Sequence, residues 1–239
     1  MLPLLYHSHH ARFAEDLPFW LGLAAQAGDP ILELGCGSGR VLTALAQAGY
    51  RVFGLDLDRA MLACLRQLAG QAAPPVFQAD MAAFRLGLGF RLVILPCNTF
   101  STLSENERRA TLTCVRQHLQ AGGTFAVSLP NPAQMAVMPA QGRPEIEDIF
   151  PHPLDGEPVQ VSDAWRRTRH TLQVWWHYDH LLPDGTVERL SLSARHSLAP
   201  AAAYLDEMTA AGLTVQAVLG DYGGSPYQPD SPALIILAS

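Results

Sequence analysis

The 239-residue sequence contains no lysine, so arginine supplies all sixteen of its cationic side chains. Asp and Glu number 22, the net charge is −6, and the chain has no run of basic residues. Proteins that bind nucleic acids need a concentrated positive surface to neutralise phosphates. The composition therefore predicts no nucleic-acid partner. As a hypothesis, the missing lysine reflects a GC-rich genome.

Long apolar runs are missing as well. No stretch approaches the roughly 18 consecutive apolar residues that a membrane-spanning helix requires. The N-terminus lacks the basic region with which a signal peptide begins. We therefore expect a cytoplasmic bacterial protein with no membrane partner.

Cysteine is scarce, and its spacing is uninformative. Cys36, Cys64, Cys97 and Cys114 form no C-x-x-C pair, so neither a redox pair nor a zinc site is indicated. The run His7-x-His9-His10 offers ligand atoms, but no second cluster matches it. The sequence therefore predicts no metal.

The most informative segment runs from Ile31 to Asp58. Ile31 begins a four-residue apolar run, which predicts a strand buried on both faces of a parallel sheet. Glycines at alternate positions follow, so the chain can turn sharply and a ligand can approach the backbone. A helix begins after Gly39, and a second strand ends at Asp56, where a carboxylate can accept hydrogen bonds from an adenosine ribose. This pattern predicts a nucleoside-cofactor site.

The spacing of the glycines disfavours a dinucleotide. A dinucleotide site needs G-x-G-x-x-G, whose third glycine lets the helix pack closely on the strand. Here the glycines are Gly35, Gly37 and Gly39, and Arg40 stands at that third position. An NAD(P)-dependent oxidoreductase is kept as an alternative.

The run from Glu33 to Arg40 resembles motif I of the class I S-adenosylmethionine-dependent methyltransferases. Three later segments resemble further family motifs in the expected order: 78–81, 92–100 and 119–125, with Ala121 in place of a proline. The C-terminal segments 213–219 and 231–237 resemble a small-molecule subgroup that includes glycine and sugar-amine N-methyltransferases. The resemblance covers nearly the whole chain except residues 132–158.

The resemblance implies S-adenosylmethionine as the cofactor and a specific set of site residues. The cofactor-binding residues would be Glu33, Gly35, Cys36, Gly37, Gly39, Arg40, Asp56, Leu57, Met61, Asp80, Met81, Pro96 and Cys97. Asn98, which can orient an acceptor, and Tyr6, which resembles an aromatic residue closing over the cofactor, are assigned to catalysis.

The order of predicted elements indicates an α/β fold. Strands near 30–34, 51–55, 75–78, 91–95 and 123–129 alternate with helices near 39–48, 58–69 and 104–119, which predicts a parallel sheet. Residues 11–27 are predicted to form a helix that caps the active site. With the two C-terminal strands implied by the resemblance, we expect a doubly wound, mostly parallel seven-stranded Rossmann-like sheet. An antiparallel β ribbon is inserted after its fifth strand.

The insertion begins with a proline-rich stretch. Residues 130–158 contain seven prolines and are predicted to form a long irregular connection. Alternating runs at 159–168, 170–181 and 187–197 then predict the antiparallel ribbon. We therefore divide the chain into a cofactor-binding domain, residues 1–130 and 200–239, and an inserted substrate or lid subdomain, residues 131–199.

The ribbon is the expected acceptor site, because it is an aromatic-rich insertion that can close over the carboxyl edge of the sheet. The predicted substrate residues are Phe100, Trp165, Trp176, Tyr178, Arg195 and Tyr227. Packing of the ribbon's aromatic rings on the main domain or on a twin subunit is an equally weighted alternative, so a homodimer stays open.

The functional hypothesis is a methyltransferase that moves a methyl group by in-line displacement to a small-molecule acceptor, with an amine nitrogen as the first choice. Transfer from a sulfonium requires alignment and exclusion of water rather than elaborate protein chemistry. The chain shows no carboxylate pair with metal-binding spacing and no Asn/Asp-Pro-Pro-aromatic signature of base-amino methylation. A non-catalytic protein that binds S-adenosylmethionine is the remaining alternative.

Overall fold

The computed structural model describes residues 1–239, and its main sheet has seven strands. These are β1 (Ile31–Leu34), β2 (Val52–Asp56), β3 (Val76–Gln78), β4 (Phe90–Leu95), β5 (Leu119–Pro130), β10 (Val215–Leu219) and β11 (Ala233–Ala238). Their order is β10-β11-β5-β4-β1-β2-β3, with β11 antiparallel to both of its neighbours. The parallel pairing of β1 with β2 and β4 brings their carboxyl ends to one edge. This architecture confirms the predicted fold.

Helices cover both faces of this sheet. They are α2 (Leu17–Ala27), α3 (Arg40–Gln47), α4 (Arg59–Ala69), α5 (Glu105–His118) and α7 (Ala201–Ala210), with short 3₁₀ turns at Gly70–Ala72 and Thr99–Thr102. The buried apolar side chains form two large clusters around the strands, as expected for a sheet enclosed by helices. No helix is long and apolar enough to cross a membrane.

A second sheet follows β5 in the chain. Its four antiparallel strands, in the order β6-β7-β8-β9, are β6 (Glu145–Pro151), β7 (Pro158–Arg167), β8 (Thr171–Leu181) and β9 (Val187–Ser197). The three predicted ribbon strands correspond to β7, β8 and β9. The sheet lies within the predicted insertion, residues 131–199, whose boundaries stay a prediction.

The prediction of an irregular connection over 130–158 is wrong in part. This stretch contains α6 (Pro132–Val137) and the edge strand β6. Pro144 precedes β6 and Pro151 ends it, so neither proline interrupts the interior of the strand. An edge strand tolerates proline at its end because a missing N–H there removes little of the ladder.

The prediction of one helix over residues 11–27 is also wrong at its start. The chain forms α1 (Leu2–His10), turns over residues 11–16, and then forms α2. Each helix has a proline in its first turn, where the absent N–H has no intrahelical partner to lose. The buried side chain of Leu5 joins a small core with Phe150, Val159 and Tyr178, so α1 packs on the second sheet. The predicted domain division places α1 in the cofactor-binding domain, whereas its buried side chain Leu5 packs against the second sheet.

Candidate active site

The glycine loop after β1 is fixed by a carboxylate at the end of β2. Gly37 N–H donates to Asp56 Oδ2 at 2.7 Å, and Asp58 N–H donates to Asp56 Oδ1 at 2.8 Å. Each of these oxygens retains a second lone pair, so the carboxylate can still accept hydrogen bonds from a vicinal diol. Burial raises the pKa of Asp56, although these backbone donors oppose the shift.

The same loop leaves space for a ligand along its backbone. Gly37 has φ +54°, and a Cβ added there would meet no protein atom within 4 Å. Gly35 has φ +66°, and its Cβ would press against the Met81 and Thr99 side chains at 3.3 and 3.4 Å. Glycine is therefore required at 35 by both conformation and space, while the space beside Gly37 is open.

Glu33 supplies an unpaired polar atom beneath this loop. Its side chain is 3% exposed, and Oε2 has no hydrogen-bond partner. Desolvation raises the pKa of this carboxyl to about 8. Burial without a donor thus favours the neutral carboxyl near pH 7, and the ammonium of a bound amino-acid moiety would stabilise its charged form. The residues present thus fit the methionine part of S-adenosylmethionine.

The outer side of the predicted cofactor site is apolar and open. Leu57 follows Asp56 and is 67% exposed. Asp80 is exposed, and its Oδ1 accepts a hydrogen bond from Ala82 N–H at 2.8 Å. Leu57, Met61 and Met81 are apolar groups that can contact a base, and Asp80 can accept from an exocyclic amine.

The Arg40 side chain hydrogen-bonds to the turn formed by residues 13–16. Its guanidinium contacts both carboxylate oxygens of the fully buried Asp16, at 2.5 and 2.6 Å, and donates to Phe13 O at 2.8 Å. It also lies 3.0 Å from Cys97 Sγ. Arg40 therefore ties the 13–16 turn to the start of α3, and a glycine at this position would lose those contacts.

The chain leaves β4 through a strained turn. Cys97 and Asn98 have φ values of +60° and +64°, the only non-glycine residues with positive φ. Such conformations cost on the order of 1–3 kcal/mol each and concentrate at functional sites. Both residues line a cavity of about 560 Å³ between the main sheet and the second sheet.

This cavity gathers side chains from both parts of the molecule. Its lining residues are Tyr6, His9, His10, Phe13, Arg40, Cys97, Asn98, Thr99, Thr102, Pro130, Met135, Glu147, Leu172, Val174, Trp176, Leu192, Ala194, His196 and Tyr222. The inner face of β8 thus lies opposite the turn after β4. The predicted residues Tyr6, Asn98 and Trp176 share this cavity.

Helix α1 closes one side of the cavity with aromatic and imidazole rings. The Tyr6 and His10 rings stack with centroids 3.9 Å apart, and the His10 ring hydrogen-bonds to Tyr6 O through Nδ1 at 3.0 Å. Burial raises the pKa of Tyr6 to about 12 and lowers the pKa of His10 to about 4. Both side chains are therefore neutral near pH 7.

Glu147 is the acidic residue of this cavity, and a bulge in β6 sets its position. The β6–β7 register shifts between Ile146 and Asp148, which leaves Glu147 as the extra residue. Bulges commonly redirect a side chain next to an active site. Glu147 Oε1 lies 3.5 Å from His9 Nε2, and His9 Nδ1 lies 3.1 Å from the Tyr178 hydroxyl. The hydrogen bond from His9 is the largest cause of the lowered pKa of Glu147.

Several predicted substrate residues do not line the cavity. Phe100 is fully buried in the main core, and Tyr178 is fully buried behind His9. Tyr227 donates its hydroxyl to Asn131 Oδ1 at 2.7 Å. None of these three side chains lines the cavity.

Trp165 and Arg195 also lie away from the cavity. Trp165 packs against Gly142, and its indole N–H is buried without a partner. Arg195 is exposed on the outer face of the second sheet, where its Nε donates to Gln173 Oε1 at 3.2 Å. Its neighbour His196 points inward, because successive strand residues face opposite sides. The expected proximity of Arg195 to the acceptor is therefore corrected.

Sequence reasoning missed Glu147, His196, Tyr222 and Met135. Glu147 lies in the stretch predicted as irregular, and a bulge has no reliable signature in a single sequence. His196 carried a signal, since it alternates with Arg195 along an amphipathic strand. The run His7-x-His9-His10 does not converge: His7 Nδ1 lies 3.0 Å from Ser38 Oγ, whereas His9 and His10 turn toward the cavity.

Comparisons with known proteins agree with this architecture. Residues 31–123 match a family model described as a methyltransferase domain. The cypemycin N-terminal methyltransferase of Streptomyces is 26% identical over 211 residues, covering 88% of this chain and 82% of that relative. An S-adenosylmethionine-dependent methyltransferase structure from Clostridium acetobutylicum superposes with TM-score 0.80 at 13% identity, covering 95% of this chain and 91% of that one.

A third similarity is to the structure of the sugar N-methyltransferase KedS8 from Streptoalloteichus. Its TM-score is 0.74 at 23% identity, and the alignment covers 94% of this chain and 86% of that one. The chain has the fold of the class I S-adenosylmethionine-dependent methyltransferases, and residues 31–123 match a methyltransferase domain. These similarities support an S-adenosylmethionine-dependent methyltransferase.

Proposed function

We propose that this methyltransferase transfers its methyl group to an amine nitrogen of a small-molecule acceptor bound in the 560 Å³ cavity. The observation that carries the proposal is the Glu147–His9 pair, which places a carboxylate beside an imidazole in an otherwise mostly apolar cavity. A carboxylate there attracts a cationic amine, and the imidazole provides a base. The names of two relatives, an N-terminal and a sugar N-methyltransferase, agree with amine chemistry.

The cofactor is assigned to the carboxyl edge of the main sheet. We assign Asp56 to the ribose hydroxyls, Glu33 to the methionine ammonium, and the open backbone at Gly37 to the methionine chain. When bound, S-adenosylmethionine supplies an activated methyl group on a sulfonium. The protein's own task is then to orient the acceptor and exclude water.

An amine must be unprotonated to attack. Alkyl amines have an ordinary pKa near 10.4, as for lysine, so most of the acceptor arrives at neutral pH as the ammonium. The Glu147 carboxylate can hold that ammonium, and His9 Nε2 faces the same carboxylate at 3.5 Å. We assign proton removal to this pair: the ammonium proton passes to the His9 imidazole, the Glu147 carboxylate holds the resulting imidazolium, and the neutral amine is left free to attack the methyl group. Tyr178 OH, 3.1 Å from His9 Nδ1, orients the imidazole ring from behind.

The cavity walls are suited to a compact acceptor. Leu172, Val174 and Trp176 project from the inner face of β8, and Tyr6 and His10 close the side formed by α1. The volume lies within the range of small-molecule sites. The oxidoreductase alternative is disfavoured, because Arg40 occupies the position of the third glycine and is bound to Asp16.

The test compares two glutamates of β6. In Glu147→Gln, kcat/KM for an amine acceptor should fall by about 100-fold or more, within the range of general acid–base contributions. Affinity for S-adenosylmethionine should stay within about tenfold. Glu145→Gln changes an exposed residue of the same strand and should leave both values unchanged. Equal activity of Glu147→Gln and the unmodified chain would contradict the role assigned to Glu147 in binding and deprotonating the amine.

The acceptor class can be tested with paired compounds. Amino sugars and peptides with a free N-terminus would each be supplied with S-adenosylmethionine, beside their N-acetylated counterparts, and methylated product measured by mass spectrometry. Methylation of a free amine but not of its acetylated partner supports an amine acceptor. Methylation of both compounds would point to oxygen or carbon. Binding of S-adenosylmethionine with no product from any amine would favour a non-catalytic protein.

A further inference from the structure

A second group of side chains lies at the far end of the second sheet, apart from the cavity described above. His152, Asp155 and His180 converge around one point, and their potential ligand atoms all lie within 4.8 Å of one another. They line a separate cavity of about 350 Å³ that shares no residue with the active-site cavity. Neither the methyltransferase assignment nor the proposed acceptor chemistry uses them.

We propose that this group is a binding site for a divalent zinc ion. His152 Nδ1 lies 2.9 Å and His180 Nε2 lies 3.3 Å from the same oxygen, Asp155 Oδ1. In a tetrahedral zinc site with bonds of about 2.0–2.2 Å, neighbouring ligand atoms are separated by about 3.3–3.5 Å. These two separations are close to that value, and all three ligand atoms lie within 4.8 Å of one another, so the site can admit the ion once the two imidazole rings reorient.

The backbone positions two of the ligands. The loop between β6 and β7 is closed by His152 N–H donating to Glu157 O at 2.7 Å and Gly156 N–H donating to His152 O at 2.9 Å. This tight turn presents His152 and Asp155 toward the same side. The third ligand, His180, comes from the central strand β8. Ligands from two separate parts of the sheet give the ion a cross-linking role.

The neighbouring strand carries a carboxylate that lies outside the converging group and would reach the ion after its side chain rotates. Glu188 is directly opposite His180 in the β8–β9 register and lines the same cavity. Opposite residues of an antiparallel pair project from the same face. Two carboxylates and two neutral imidazoles would balance the charge of a divalent cation. Nitrogen and oxygen ligands of this kind suit zinc.

Burial and access are both compatible with an ion. The two imidazole residues are buried, at 5% and 6% exposure, whereas Asp155 is exposed and leaves a path from solvent. The His152 and His180 rings are stacked with centroids 3.9 Å apart. Coordination requires each ring plane to contain the ion, so the stacked rings should tilt apart when zinc binds.

The expected consequence is stabilisation of the second sheet. The cavity is also lined by Met1 and Leu5 of the N-terminal segment, and Leu5 belongs to the small core between α1 and the second sheet. A zinc ion here would fasten the 152–157 loop to β8 next to that core. Because metal binding to the native site favours the folded chain, it should raise Tm.

The experiment uses the full chain, freed of metal with a chelator and titrated with zinc chloride by calorimetry. We expect one zinc ion per chain and a rise in Tm. His180→Ala and Asp155→Asn should each weaken zinc binding by more than about 100-fold, beyond the usual cost of losing a supporting residue. His177→Ala is the matched control, since His177 lies on the opposite face of β8 and contacts Ser191 Oγ at 2.7 Å.

The use of two substitutions distinguishes loss of a zinc ligand from misfolding. Asp155 is exposed, so Asp155→Asn should leave the unfolding temperature of the metal-free chain nearly unchanged even if His180→Ala lowers it. The proposal is overturned if the unmodified chain binds zinc no more tightly than Asp155→Asn. It is equally overturned if zinc binding survives both substitutions, because the ion would then be held elsewhere on the chain.

Discussion

The proposed cofactor edge of the main sheet and the candidate active-site cavity are built in different ways. At the proposed cofactor edge, the surface is largely backbone, namely the loop around Gly37, which is fixed by Asp56. The strained turn at Cys97 and Asn98 lines the cavity itself. On the side of α1 and the second sheet, the surface consists of side chains, among them Trp176. A backbone surface suits a constant cofactor, whereas a side-chain surface can change with the acceptor while the sheet stays the same.

This contrast predicts that substitutions on the two sides separate cofactor binding from acceptor turnover. The largest effect is expected for Gly37→Val. Its side chain would enter the open space along the loop, so binding of S-adenosylmethionine should be abolished. Calorimetric titration, with circular dichroism on the same sample, measures both binding and folding.

The matched control for that substitution is Gly49→Val. Gly49 also has positive φ, +92°, and open space around its missing Cβ, but it lies at the end of α3. Both substitutions incur a similar backbone cost of about 1–2 kcal/mol. If Gly49→Val also lost cofactor binding, strain rather than exclusion of the ligand would explain the result.

The next largest effect is expected for Asp56→Ala. Removing the carboxylate should weaken S-adenosylmethionine binding by about 1.5–3 kcal/mol for each charged hydrogen bond lost. Asp58→Ala is a suitable comparison, because Asp58 caps α4 through Ala60 N–H at 2.7 Å. Its loss should cost about 1 kcal/mol of stability with little change in cofactor affinity. Unchanged affinity in Asp56→Ala would contradict the ribose assignment.

Within the cavity, Trp176→Ala should lower acceptor turnover without a comparable loss of cofactor affinity. We expect acceptor kcat/KM to fall by roughly 30-fold, about 2 kcal/mol, the effect of removing a well-buried aromatic contact. Cofactor affinity should change by less than about tenfold. The adjacent Trp175 lies on the outer face of β8, so Trp175→Ala should alter turnover far less. Equal losses in both variants would mean that the sheet, rather than its inner face, had been damaged.

The smallest effect is expected for Arg195→Ala. This exposed outer-face residue should change stability and acceptor turnover by no more than about 0.5 kcal/mol. His196→Ala should have a larger effect, because its Nδ1 lies 2.8 Å from Ser101 Oγ and the residue lines the cavity. Steady-state kinetics on the two variants would reveal whether this strand acts through its inner face. A larger loss of acceptor turnover in Arg195→Ala than in His196→Ala would support the original prediction that Arg195 lies near the acceptor.

Local sequence patterns were sufficient for the main sheet. Apolar runs such as Ile31–Leu34, glycine turns and helical periodicity each describe one element and its immediate neighbours. The order of those elements then restricts the topology, since parallel strands need crossovers of one hand. The resemblance supplied the last two strands and the cofactor, and the structure agrees with that fold.

The amino-acid sequence thus determined which strands and turns form the sheet edge that we assign to the cofactor, because that information lies in short, contiguous segments. It also showed that an aromatic ribbon follows the fifth strand. Only the tertiary structure decided which ribbon residues face the cavity. The bulge at Glu147, and which of Arg195 and His196 faces the cavity, depend on strand register, and register is fixed by packing between distant segments. The convergence of His152, Asp155 and His180 arises for the same reason, because only pairing of β7 with β8 brings them together.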